Sequence, residues 1–173
     1  NQTRLTADPG YDGQPTFSPD GSRIAFTSNR SGVYAIWVMN ADGSNPVGLT
    51  TNMAYSQLAF WSPDGSTIAF TADGTGDGWY EVWKMNTDGS LQTRLTDFSS
   101  EYDAIASSWS PDGYDLAYTG IKYIYYYGNW YWMYAHQFVR NVHTGWTTRV
   151  NQQEDRSWHM DWKSTDVIPP TSA

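Results

Sequence analysis

The sequence predicts an all-β fold made of small four-stranded sheets repeated along the chain. Three observations predict it. A turn of fixed composition returns three times, as Phe17-Ser18-Pro19-Asp20-Gly21, Trp61-Ser62-Pro63-Asp64-Gly65 and Trp109-Ser110-Pro111-Asp112-Gly113, at spacings of 44 and 48 residues. Other landmarks return in step with it. The segments between turns alternate apolar and polar with period two, and none has a helical period of useful length.

The turn has a local physical reason. Pro already holds the φ that the first central position needs, Asp can bond its own backbone, and Gly accepts positive φ. The accompanying landmarks are Arg4-Leu5-Thr6, Gly48-Leu49-Thr50 and Arg94-Leu95-Thr96, and the pair Asn40-Ala41-Asp42-Gly43 and Asn86-Thr87-Asp88-Gly89. Between them lie Ala35-Ile36-Trp37-Val38-Met39 and Glu81-Val82-Trp83-Lys84-Met85. Strands are expected at 14–18, 23–28, 34–40 and 46–50, then at 57–62, 67–72, 80–86 and 92–96, then at 105–110, 115–127, 130–141 and 146–150. Four short strands every 44 residues or so make one β-propeller blade. The expected blades are 14–50, 57–96 and 105–150, with a partial blade at 157–163 and a linker at 164–173. Residues 3–6 read as the outer strand of an earlier blade, so the array is an incomplete propeller, or one completed by oligomerisation.

The combination of Arg-Leu-Thr, Phe/Trp-Ser-Pro-Asp-Gly, Ile-Ala-Phe, Trp-x-Met-Asn and Asp-Gly resembles the TolB-type β-propeller repeat, strongly over 3–96 and more loosely over 97–163. The resemblance implies a periplasmic or secreted bacterial protein that docks protein or glycan partners without catalysis. Some pectin-oligosaccharide lyases and the gating domains of prolyl peptidases resemble the same repeat, so a propeller part of a polysaccharide-acting enzyme is the alternative. A self-associating structural subunit is a third reading. Fold alone does not choose among them.

The third blade departs from the repeat in the run from Gly120 to Tyr134. Gly128-Asn129 is expected to be a two-residue turn, setting Tyr127 opposite Trp130, Tyr125 opposite Trp132 and Tyr123 opposite Tyr134. Those six rings would share one face of a hairpin longer than its counterparts. Exposed aromatic patches mark contact surfaces, and the rings suit sugar faces or protein anchors. A second candidate is the rim of the funnel, where Tyr11-Asp12, Tyr55-Ser56 and Tyr102-Asp103 precede each inner strand.

Asp73-Gly74-Thr75-Gly76-Asp77-Gly78 opens like a calcium loop, with Asp73 and Asp77 as ligands, but lacks the closing Glu and aligns with an ordinary turn. His136, His143 and His159 match no zinc spacing, and no nucleophile elbow occurs. Rim carboxylates for sugar hydrolysis would have to be Asp12, Glu101 and Asp103. Asn1-Gln2-Thr3 and Asn29-Arg30-Ser31 fit the glycosylation pattern. A net charge of -8 without a basic run argues against nucleic acid as a partner, and no stretch is apolar enough for membrane insertion. The chain has no cysteine, so neither disulfides nor cysteine-bound metal shape it.

Overall fold

The computed structural model describes residues 2–98 and 102–150, so the expected partial blade at 157–163, the linker at 164–173, Glu101 and His159 lie outside the described residues. Three antiparallel sheets of four strands each follow one another. The first holds β1 (Asp12–Phe17), β2 (Arg23–Ser28), β3 (Ala35–Asn40) and β4 (Val47–Gly48). The second holds β5 (Tyr55–Trp61), β6 (Thr67–Asp73), β7 (Glu81–Asn86) and β8 (Thr93–Arg94). The third holds β9 (Tyr102–Trp109), β10 (Asp115–Tyr126), β11 (Asn129–Asn141) and β12 (Thr147–Arg149). In each sheet the strands lie side by side in chain order.

The repeated turn closes by its own side chains. The Arg23 N–H donates to Ser18 Oγ at 2.9 Å, and the Ser18 hydroxyl donates to Asp20 Oδ1 at 2.6 Å. Gly21 has φ +71°, where a Cβ would be strained. The same bonds recur at Ser62-Asp64 and Ser110-Asp112. Hydrogen bonds from Ser18 and Ser22 hold the Asp20 carboxyl down at about 2.

Blades join through apolar layers and a few directed bonds. Ala25, Ile36 and Val38 of the first blade bury against Trp61, Ile68, Phe70 and Met85 of the second. Ala69 and Val82 meet Ala104, Ala106, Leu116, Tyr118 and Phe138 of the third. Trp61 Nε1 donates back to the Thr16 carbonyl at 3.3 Å, and Trp109 Nε1 to the Phe60 carbonyl at 3.0 Å. Each inner strand carries a bulge, at Gln14, Leu58 and Ser107 in turn. Residues 3–6 form no strand, yet Leu5 lies against Gly43 as Leu49 lies against Gly89.

The long hairpin is built one step away from its expected register. Its turn is Tyr127-Gly128, with φ +48° and +82°, and not Gly128-Asn129. A type I′ turn needs positive φ at both central positions. Gly128 takes the second one, and Asn129 returns to β11. The pairs are therefore Tyr125–Trp130 and Tyr123–Trp132. A bulge at Met133 then sets Tyr134 opposite Lys122, which moves Tyr134 off the face that Tyr123 and Tyr125 share.

Phe70 is fully buried between blades, whereas Phe17 is 62% exposed. Phe70→Ala is expected to cost about 3–5 kcal/mol in urea unfolding. Phe17→Ala is expected to change stability by less than about 0.5 kcal/mol.

Candidate functional site

Strand starts bring tyrosines from different blades into one row. Tyr11 precedes β1, Tyr34 precedes β3 and Tyr80 precedes β7, while Tyr55 opens β5. Their ring centroids follow at 5.6 Å from Tyr11 to Tyr34, 5.1 Å to Tyr55 and 5.4 Å to Tyr80. Backbone bonds lock the spacing: the Ser56 N–H donates to the Tyr34 carbonyl at 2.8 Å, and the Ala104 N–H to the Tyr80 carbonyl at 2.6 Å. Burial and the neighbouring phenols Tyr80, Tyr34 and Tyr11 raise the Tyr55 phenol above its usual range.

The third blade ends the row with a carboxylate. Asp103 pairs with Ile121 in the register where Tyr55 pairs with Asp73, so Asp103 occupies the tyrosine's place. Tyr102, expected on the rim, is 8% exposed, stacked on Phe98 at 5.5 Å and covered by the Lys122 ammonium at 4.3 Å. Asp103 is also 8% exposed. It accepts the Tyr80 N–H at 2.9 Å and the Tyr123 hydroxyl. Burial pushes its carboxyl above the usual range, against those two hydrogen bonds. Burial and the Asp103 charge likewise raise the Tyr123 phenol.

From Tyr123 the aromatic surface passes to the hairpin. Trp79 lies 6.0 Å from Tyr123 and 5.2 Å from Trp130, in an edge-on contact, and Trp130 lies 5.2 Å from Tyr125. Tyr125, Tyr127 and Trp130 are 61%, 85% and 49% exposed. Tyr134 departs from this surface. Burial and a hydrogen bond with Tyr102 push its phenol to about 12. Trp132 pairs with Tyr123 through the backbone.

Asp12, the remaining rim residue, is committed to the fold. Arg30 Nη2 bonds its Oδ1 at 2.8 Å, and the guanidinium covers the Phe26 and Trp37 rings at 5.1 and 5.0 Å. Burial would raise its carboxyl, but bonds from Arg30, Ser28 and Thr6 hold it below its usual value. Asp73 accepts the backbone N–H groups of Gly76, Asp77 and Gly78, and Asp77 accepts that of Trp79. This loop turns its carboxylates onto its own amides. His136 lies between the Tyr134 and Phe138 rings, and His143 against Tyr114. Among the described residues no three His, Cys, Asp or Glu are grouped to hold a metal.

Three members of this surface, Tyr34, Trp79 and Tyr80, lie outside the residues that sequence reasoning selected. A signal was present: Tyr34 and Tyr80 each stand three positions before the repeated Trp37 and Trp83.

The model of the TolB β-propeller domain matches residues 1–124. The chain belongs to the TolB β-propeller family. The Tol-Pal system protein TolB of Bordetella pertussis is 47% identical over 45 residues, which cover 26% of this chain and 10% of that protein. That of Anaeromyxobacter dehalogenans is 55% identical over 38 residues, 22% of this chain and 9% of that protein. Among solved structures, a putative TolB from Agrobacterium tumefaciens superposes with TM-score 0.65 at 22% identity, over 84% of this chain and 50% of that one. An oligogalacturonate lyase from Vibrio parahaemolyticus superposes with TM-score 0.65 at 15% identity, over 86% and 43%. These two likenesses are of fold. The chain spans about a tenth of those curated TolB proteins and half of that TolB structure.

The raised Asp103 carboxyl carries a sign that can be measured. A raised acid stabilises the fold below its unfolded value of 3.8, and that contribution is lost as pH rises through the folded value. Asp103→Asn removes the titration. The stability of the variant relative to the parent is therefore expected to rise as pH climbs above about 3.8 in urea unfolding. A difference that stays level would assign the titration elsewhere.

Proposed function

We propose that this TolB-type propeller is a non-catalytic protein-docking module of the bacterial periplasm or exterior. It meets its partner on the aromatic surface that runs from Tyr11 through Tyr80 and onto the blade 3 hairpin. One observation carries the reading: Tyr125, Tyr127 and Trp130 stand exposed on a hairpin that the other two blades lack. Tyr and Trp are favoured anchors in protein interfaces, because each buries a large rigid area and keeps a polar tip. Trp79 braces Trp130 from the neighbouring blade, so the anchor is preorganised before a partner arrives. The relatives named for the Tol-Pal system support an extracytoplasmic setting and a protein partner.

The test immobilises the full chain and presents periplasmic proteins of a Gram-negative bacterium in one arm and a panel of oligosaccharides in the other. A protein is expected to be retained. Tyr125→Ala with Trp130→Ala is expected to weaken its binding by about thirtyfold or more, with an unchanged far-ultraviolet β-sheet spectrum. Retention of oligosaccharides alone would replace the protein partner with a glycan. Full affinity in the double variant would remove the hairpin from the site.

A further inference from the structure

A propeller blade must manage the outer edge of its sheet, where unpaired backbone groups can pair with another chain. Short edge strands are one protection. The first two blades use it, since β4 and β8 have two residues each. The outer strand of the third blade is short too, at three residues, but it leaves the first part of a 13-residue β11 uncovered. β12 pairs with β11 at Phe138, Val139 and Arg140, the Val150 N–H adds a bond to the Gln137 carbonyl, and β11 begins at Asn129. Among the described residues, no strand lies beside the outer edge of 129–135. That run is about 24 Å long at the usual rise per residue.

Its composition offers little else to discourage pairing. Asn129-Trp130-Tyr131-Trp132-Met133-Tyr134-Ala135 holds no charge and no proline, and its one irregularity is the bulge at Met133. The chain as a whole carries a net charge of -8, so two copies repel one another across most of their surface. Here they can approach without bringing like charges together. Antiparallel pairing of a strand with its own copy is two-fold symmetric, so every contact is made twice. The two-fold axis then sets the two bodies toward opposite ends of the shared ribbon.

We propose that the outer edge of β11, over 129–135, pairs antiparallel with the same edge of a second copy. The paired molecule carries two tyrosine rows and so meets a repetitive or paired partner with the advantage of linked sites. Strand pairing uses the backbone edge and is independent of the docking reading, on which only the advantage of linked sites rests.

Sedimentation equilibrium of the full chain tests it. The mass is expected to rise with concentration to twice the chain mass. Ala135 is exposed, and Ala135→Lys sets a charge on the edge without disturbing the core. It is expected to move association to at least about tenfold higher concentration. Because the chain has no cysteine, single cysteines at 130–134 can be oxidised one at a time. Cross-linked dimer is expected to peak at one position and fall on either side, and a cysteine replacing Thr93 on β8 is expected to stay monomeric. A monomer at all concentrations overturns the proposal, as does a dimer indifferent to Ala135→Lys. Cross-linking as efficient at position 93 does the same. Partner capture that survives Ala135→Lys while the dimer is lost would leave the docking reading standing by itself.

Discussion

Everything in this molecule depends on the corner where the first strand of a blade meets the second. Ser18 both accepts the Arg23 N–H and donates to Asp20, so side chain and backbone close one small ring. The corner fixes where the aromatic residue before it stands. In the second and third blades that residue is Trp61 or Trp109, whose indole reaches back to a carbonyl of the preceding blade. Turn chemistry thus sets the blade-to-blade contact. An indole N–H buried without a partner is costly, so the carbonyls of Thr16 and Phe60 specify the stacking as well as stabilise it.

This locality explains what the sequence discloses. Pro, Asp and Gly at fixed offsets need only their own backbone, and the structure forms the turn at Ser18, Ser62 and Ser110. Strand starts are legible because alternation is local too. The outer strands are shorter than expected, at Val47–Gly48 and Thr93–Arg94, because beyond them the Ile36 and Val82 N–H groups donate to the Thr50 and Thr96 side chains and the backbone ladder stops. No pattern of polarity announces that. The hairpin register is hidden for a different reason. Tyr127-Gly128 and Gly128-Asn129 both satisfy a two-residue turn rule, and the contact of Trp130 with Trp79 accompanies the one adopted. That contact joins residues of two blades, which a reading of one hairpin cannot see.

The aromatic row was half legible in the same way. Tyr11 and Tyr55 share a sequence offset, and Tyr34 and Tyr80 share another. Only stacking of the blades interleaves the two sets into one surface with rings 5.1 to 5.6 Å apart. Tyr102 shows the opposite error. Its offset places it near the rim, but the longer spacing into the third blade shifts the register by one, which turns Tyr102 inward and brings Asp103 into line.

That exchange links the row to the hairpin. A tyrosine at position 103 would extend the row of rings but could not accept the Tyr80 N–H and the Tyr123 hydroxyl together. A carboxylate accepts both. The cost is a buried acid whose ionisation is opposed by desolvation, and the two donors offset part of it. The gain is position: one side chain holds the start of β7 and the base of the hairpin at a common point. A hairpin that extends beyond its neighbours has no core beneath its tip, so it must be braced from its base and its side. Asp103 supplies the first through Tyr123, and Trp79 the second through Trp130. The carboxylate and the long hairpin are therefore two parts of one departure from the repeat, and neither is explained without the other.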